Sequence, residues 1–86
     1  MSQAPFFHES SGTVRFWVSV DGIFIGASIR KQTLHDCYAP HPKDDDAVAT
    51  YVRNSAHIDA AVRRRVAAGS LEPVMLRDFD VRATPR

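Results

Sequence analysis

Two alternating runs on either side of an Asp-Gly pair constrain this chain more than any other feature. Val14, Phe16, Val18 and Val20 alternate with Thr13, Arg15, Trp17 and Ser19, a period of two that reads as a half-buried strand. Asp21-Gly22 follows, the dipeptide suited to a type I′ turn, in which both central residues take positive φ. Ile23, Ile25, Ala27 and Ile29 then alternate with Phe24, Gly26 and Ser28. A two-residue turn sets the register, so Val20 faces Ile23, Val18 faces Ile25, Phe16 faces Ala27 and Val14 faces Ile29. Every member of that face is apolar, so turn chemistry and hydrophobic pattern agree on one pairing.

The same register dictates the opposite face. It pairs Ser19 with Phe24, Trp17 with Gly26 and Arg15 with Ser28, and an aromatic over a neighbouring strand's glycine is a known stabilising arrangement. A chain of 86 residues allows one domain. Such a chain buries only about 60–65% of its unfolded surface, so one face of a small sheet suffices for its core.

Beyond the hairpin, helical signals begin near Ser28, taken as an N-cap, and run through Leu34 to Cys37 and Tyr38. Pro40 and Pro42 end this helix and make Ala39-Pro40-His41-Pro42-Lys43 a stiff connector. A longer second helix is expected from Val48, Tyr51, Val52, Ser55, Ile58, Val62 and Val66, whose spacings of three and four form one stripe. Asp44, Asp45 and Asp46 at its start and Arg63, Arg64 and Arg65 near its end complement the helix dipole, and Gly69 suits the C′ position. A last strand is expected over about Val74 to Val81, with Met75, Arg77, Phe79 and Val81 on one side and Val74 and Leu76 on the other. The expected fold is a two-layer α+β domain of order β-β-α-α-β, an antiparallel sheet with helices packed on one face. Residues 1–12 are expected to be an N-terminal extension, 13–81 the core and 82–86 a tail.

Several of these residues resemble a known family. They are Val18-Ser19-Val20-Asp21-Gly22, Ile25-Gly26-Ala27-Ser28-Ile29, Leu34-His35-Asp36, then Tyr51, Asn54 and Ile58, and finally Leu76 with Asp78-Phe79. Together they resemble the small proteobacterial family catalogued as domain of unknown function 1488, over roughly residues 13 to 81. Gln32-Thr33 depart from the acidic residue and alanine found before the helix leucine in many members. The resemblance implies a compact α+β fold in a cytoplasmic bacterial protein and transfers no catalytic or binding residue.

Charge and cysteine content narrow the function classes. Eleven Lys+Arg against ten Asp+Glu leave a formal charge of +1, so no bulk field favours nucleic acid or membrane. One cysteine permits no internal disulfide, and the start lacks a basic, apolar leader, so a cytoplasmic location is expected. No apolar run approaches the roughly 20 residues that a bilayer requires. His35, Cys37 and His41 with Asp36 do not have a structural-zinc spacing, and an Asp beside Cys37 raises rather than lowers a thiol pKa. Asp44-Asp45-Asp46 follows no calcium-loop pattern, and Asp78 and Asp80 read as solvated carboxylates. No catalytic constellation, metal site or cofactor is therefore expected.

Binding is the reading with a local motive. Trp17 and Phe24 fall on the sheet face opposite the core, where a two-layer domain exposes them, and exposed aromatics of this kind mark interfaces. Phe6 and Phe7 are the segment that would cover them by folding back. The sequence thus predicts a non-catalytic interaction module that binds a protein partner or itself through Trp17 and Phe24. The alternative is a small nucleic-acid-associated regulator in which Arg53, His57 and Arg64 contact phosphates from the side of the second helix away from its buried stripe.

Overall fold

The computed structural model describes residues 4–38 and 46–82. The connector with His41, and Asp44 and Asp45, lie outside the described residues. The order is β1 (Phe6–His8), β2 (Thr13–Val20), β3 (Ile23–Arg30), α1 (Lys31–Tyr38), α2 (Ala47–Arg53), α3 (Ser55–Ala67), β4 (Val74–Leu76) and α4 (Asp78–Arg82). The sheet order is β1-β2-β3-β4. The helices pack on one face, and a single core joins Val14, Phe16, Ile29 and Val74 of the sheet to Leu34, Tyr51, Ile58 and Val81 of the helices. The ring of Phe16 stacks on Tyr51 with centroids 4.3 Å apart, fastening sheet to α2.

The hairpin has the expected register throughout, from Val20 opposite Ile23 to Val14 opposite Ile29. Asp21 at φ 51° and Gly22 at φ 80° give the two positive-φ residues that a type I′ turn needs.

Three boundaries differ from the sequence expectation. Ser28 is not a helix cap. It lies inside β3, opposite Arg15 on one side and Met75 on the other, because pairing with both neighbours holds the strand extended to Arg30. The expected second helix is two helices that meet at Asn54. The Asn54 side-chain amide donates to the Thr50 carbonyl at 2.9 Å, occupying the acceptor its own backbone N–H would have used, while that N–H turns to Tyr51 O. The buried triplets are accordingly Ala47, Thr50 and Tyr51 in α2 and Ile58, Ala61 and Val62 in α3, and Val52 is exposed. The end of α3 is as expected. Gly69, at φ 97°, donates to Val66 O, and Ser70 N donates to Arg65 O, the paired bonds of a Schellman motif.

The third difference is at the C-terminal end. The last strand spans only Val74–Leu76, and Asp78–Arg82 is helical. β4 also runs parallel to β3, so the sheet is mixed rather than antiparallel. A parallel neighbour needs a crossover of a dozen residues or more, and the three helices between β3 and β4 provide it. At the other edge β1 pairs antiparallel with β2, so part of the expected N-terminal extension belongs to the sheet.

Asp80 explains why the strand stops. Its Oδ2 accepts from the Arg77 backbone N–H at 2.8 Å and from Arg65 Nη1 at 2.7 Å. The first bond is half of a capping box, a side chain at the third helical position reaching back to the N-cap. The second ties α4 to α3. Asp80 is thus buried and paired, not solvated. Asp80→Ala should cost about 3 kcal/mol, the lower end for breaking a buried ion pair, because Arg65 keeps 29% of its side chain exposed. Asp80→Asn, which preserves an acceptor, should cost less. Urea unfolding of both variants checks this, and equal losses would show that the hydrogen-bond acceptor is not what matters.

Candidate functional site

Strand alternation sends one set of side chains into the core and the other to an open face. Among the described residues no helix packs over that open face. Register places Phe6, Thr13, Arg15, Trp17, Phe24, Gly26, Ser28, Arg30 and Met75 on it. Phe24 and Met75 are exposed, at 47% and 61%. Trp17 is half-buried, because the ring of Phe6 lies against it with centroids 6.0 Å apart. The N-terminal strand therefore shields Trp17 and leaves Phe24 open. Phe7 points the other way, toward Lys31, whose ammonium lies 6.0 Å from its ring centroid.

Two depressions cross this face and share Ser28 and Met75. The smaller, about 240 Å³, is lined by Arg15, Trp17, Gly26 and Pro73 among others. The larger, about 610 Å³, includes Thr13, Arg30, Arg77, Asp78 and Phe79. Glu72 lies against Gly26, a lining residue of the smaller one, and its Oε2 accepts from the Gly26 N–H at 2.6 Å. A Cβ on Gly26 would lie 3.0 Å from that oxygen and 3.6 Å from Trp17 Nε1, so glycine lets the carboxylate and the indole close over the strand.

The charges on the face are unevenly committed. Glu72 is held by Gly26 N, and Asp78 accepts from Thr33 Oγ1 at 2.6 Å and lies 3.9 Å from Arg30. Among the described residues, the side chains of Arg15 and Arg77 pair with no carboxylate. Arg30 keeps 64% of its side chain exposed despite its contact with Asp78.

The helical residues expected to contact phosphate are not gathered in one solvent-facing row. The break at Asn54 puts Arg53 in α2 and His57 and Arg64 in α3. His57 is half-buried, its Nδ1 bonded to the Tyr38 hydroxyl at 2.7 Å, and its Nε2 is buried without a partner among the described residues. Arg64 donates to the Asp80 carbonyl at 2.9 Å, and Arg63 donates to Ser19 O at 3.2 Å. The arginines at the end of α3 thus stitch the helix to the rest of the fold. Trp17 and Phe24, by contrast, share one face as diagonal neighbours across β2 and β3.

Arg77 and Phe79 were assigned by alternation to a strand, which hid their place at the rim of the larger depression. Arg15 was legible as a hairpin residue of the Trp17 face, and the length of β3 adds Arg30 to it. Among the described residues no three His, Cys, Asp or Glu side chains gather as a metal site would require. His35, Asp36 and His57 line neither depression.

The perturbed side chains lie on the helical layer, not the open face. Burial pushes the Tyr38 hydroxyl up to about 12, with Cys37 adding to the rise and Arg64 opposing it. The Tyr51 hydroxyl is raised by burial first and then by Asp59, to which it donates at 2.8 Å. Burial raises the Asp59 carboxyl above its ordinary value, and the Tyr51 hydrogen bond and Arg63 offset only part of the rise. A tyrosine donating to a carboxylate between two helices is a packing device, and it sits away from the aromatic face.

Compared with family models, curated proteins and solved structures, the chain matches none. Among the described residues no helix is long and apolar enough to cross a membrane. The geometry defines a small α+β domain with one sheet face sealed and the other presenting rings and guanidinium groups.

Asp59 gives a pH prediction. A carboxyl raised in the folded state favours folding while protonated, and that contribution is lost as pH rises through its folded value. Asp59→Asn keeps an acceptor for Tyr51 and does not titrate. Its stability relative to the parent chain should therefore grow as pH rises from about 3.5 to about 6. Urea midpoints across that window measure it, and a constant difference would contradict the assignment.

Proposed function

We propose that this chain is a non-catalytic binding module whose working surface is the open face of its sheet. The observation that carries the reading is the contrast between the two faces. One is filled by four helices, while the other leaves Phe24, Met75 and Phe79 exposed beside Trp17, with both depressions between them. A small domain has few apolar side chains to spare, and clustering them outside the core is a cost that binding explains. Membership of the family catalogued as domain of unknown function 1488 belongs to the same proposal, and it is supported by the hairpin together with Leu34, Tyr51, Asn54 and Ile58. A cytoplasmic location is likewise proposed, from the single cysteine.

Self-association through this face is the weaker form of the reading. Pairing about a two-fold axis would bring Arg15, Arg30 and Arg77 of each copy into one interface with only Glu72 and Asp78 to offset them, and the surplus of like charge is unfavourable.

Replacing Trp17 and Phe24 by serine tests the surface. The tagged parent chain should retain a macromolecular ligand from native lysate, and the Trp17→Ser, Phe24→Ser variant should lose it while keeping its circular dichroism. Equal retention by the folded variant would show that the face is not the working surface. Loss of secondary structure would place Trp17 in the core and overturn the reading as well.

A further inference from the structure

We propose that the ligand of the open face is single-stranded nucleic acid. The inference rests on the reading of that face as the working surface and adds the chemistry of what it takes.

Charge decides the sign of the ligand. The acids that face this surface, Glu72 and Asp78, are both occupied by donors of the chain itself. Arg15 and Arg77 carry uncommitted positive charge at the two depressions, and Arg30 stands between them. An anionic partner neutralises this surface, whereas a second copy does not. The near-neutral total charge is compatible with this, because the local excess is small: three guanidinium groups stand against two carboxylates, which stay charged while they accept from the Gly26 N–H and the Thr33 hydroxyl.

Ring geometry narrows the anion to one that can stack. Phe24 presents 47% of its surface on the sheet face, Phe79 presents 63% at the rim, and Trp17 lies between Phe6 and Gly26. Bases of an unpaired strand stack on such rings without regard to sequence, and guanidinium groups alongside meet the phosphates. A four-stranded sheet displaying aromatics is a platform on which two or three bases can be spread. A duplex keeps its bases stacked internally and offers them to no flat surface.

The backbone argues against an extended peptide as the ligand. A peptide adds to a sheet through a free edge. At β4, Arg65 Nη1 donates to the Met75 carbonyl at 3.1 Å, and beside it Glu72 occupies the Gly26 N–H. At the opposite edge β1 has only three residues, and beyond it the Phe16–Val20 stretch of β2 pairs with β3 alone, with Arg63 taking the Ser19 carbonyl there. Recognition is left to the side chains of the face.

The test uses Trp17, the only tryptophan, as its own reporter. Titration of the full chain with a dodecamer of deoxythymidine should quench Trp17 fluorescence. Three neutralised phosphates give a log–log salt slope of about −2, so affinity should fall roughly 20-fold from 50 to 200 mM salt. Arg15→Ala and Arg77→Ala should each reduce that slope by about 0.7. Phe24→Ser should weaken binding about 5- to 150-fold with the slope unchanged. All three positions are exposed, so the variants should fold as the parent does.

Absence of quenching would overturn the proposal, as would a duplex binding as tightly as the single strand. Polyglutamate quenching with the same salt slope would assign the face to acidic protein instead. A Trp17 signal that changes with the chain's own concentration would assign it to a second copy. If the face variants lose a ligand from lysate while oligonucleotides never quench, the binding-module reading survives and only the nucleic-acid assignment fails.

Discussion

The pairing of β2 with β3 is the constraint on which the rest of this structure depends. With Asp21 and Gly22 both at positive φ, the turn admits one register, and that register sorts eight residues of each strand between two faces. A slip of one residue would turn Val14, Phe16 and Val18 to solvent and Arg15 and Trp17 into the core. The helices then have one surface on which to pack, and the core forms there. The open face is the complement of that choice, since a small domain cannot cover both sides of its sheet.

The C-terminal return is held differently, by polar contacts between segments distant in sequence. Asp80 joins the Arg77 backbone to the Arg65 side chain, and Arg64 reaches the Asp80 carbonyl. Residues at the end of α3 thus decide where β4 stops and α4 begins. The same arginines that looked like a solvent-facing basic cluster also hold the helix to the rest of the fold, Arg64 through the Asp80 carbonyl and Arg63 through the Ser19 carbonyl, while Arg15, Arg30 and Arg77 stand on the sheet side.

What could be read from the sequence was what local chemistry determines. The hairpin register, the type I′ turn, Gly69 at the end of α3, and the exposure of Phe24 all follow from neighbours within a few residues. The break at Asn54 was not legible, because it depends on whether one amide takes the Thr50 carbonyl in place of a backbone N–H. Nor was the switch from strand to helix after Leu76. Met75, Arg77 and Phe79 keep an alternating pattern, and contacts from distant segments, that of Asp80 with Arg65 among them, hold the helical alternative. Of the candidate site, Trp17 and Phe24 were legible and are brought together. Arg53, His57 and Arg64 were chosen on a helical spacing that assumed one uninterrupted helix, and the break separates the first from the other two.

An open sheet face with exposed rings is ordinarily an aggregation hazard, and the way this chain limits the hazard bears on how it recognises a ligand. Strand addition needs a row of unpaired N–H and C=O groups. Arg65 takes the Met75 carbonyl, Glu72 takes the Gly26 N–H, and β1 is too short to template a long partner. With backbone pairing closed off on the β4 side, the remaining selectivity comes from rings and charges at fixed positions on a rigid sheet. Arg15 and Arg77 add positive charge to that face without a carboxylate partner among the described residues. The proposed flat, anionic ligand rests on those rings and charges and not on strand addition.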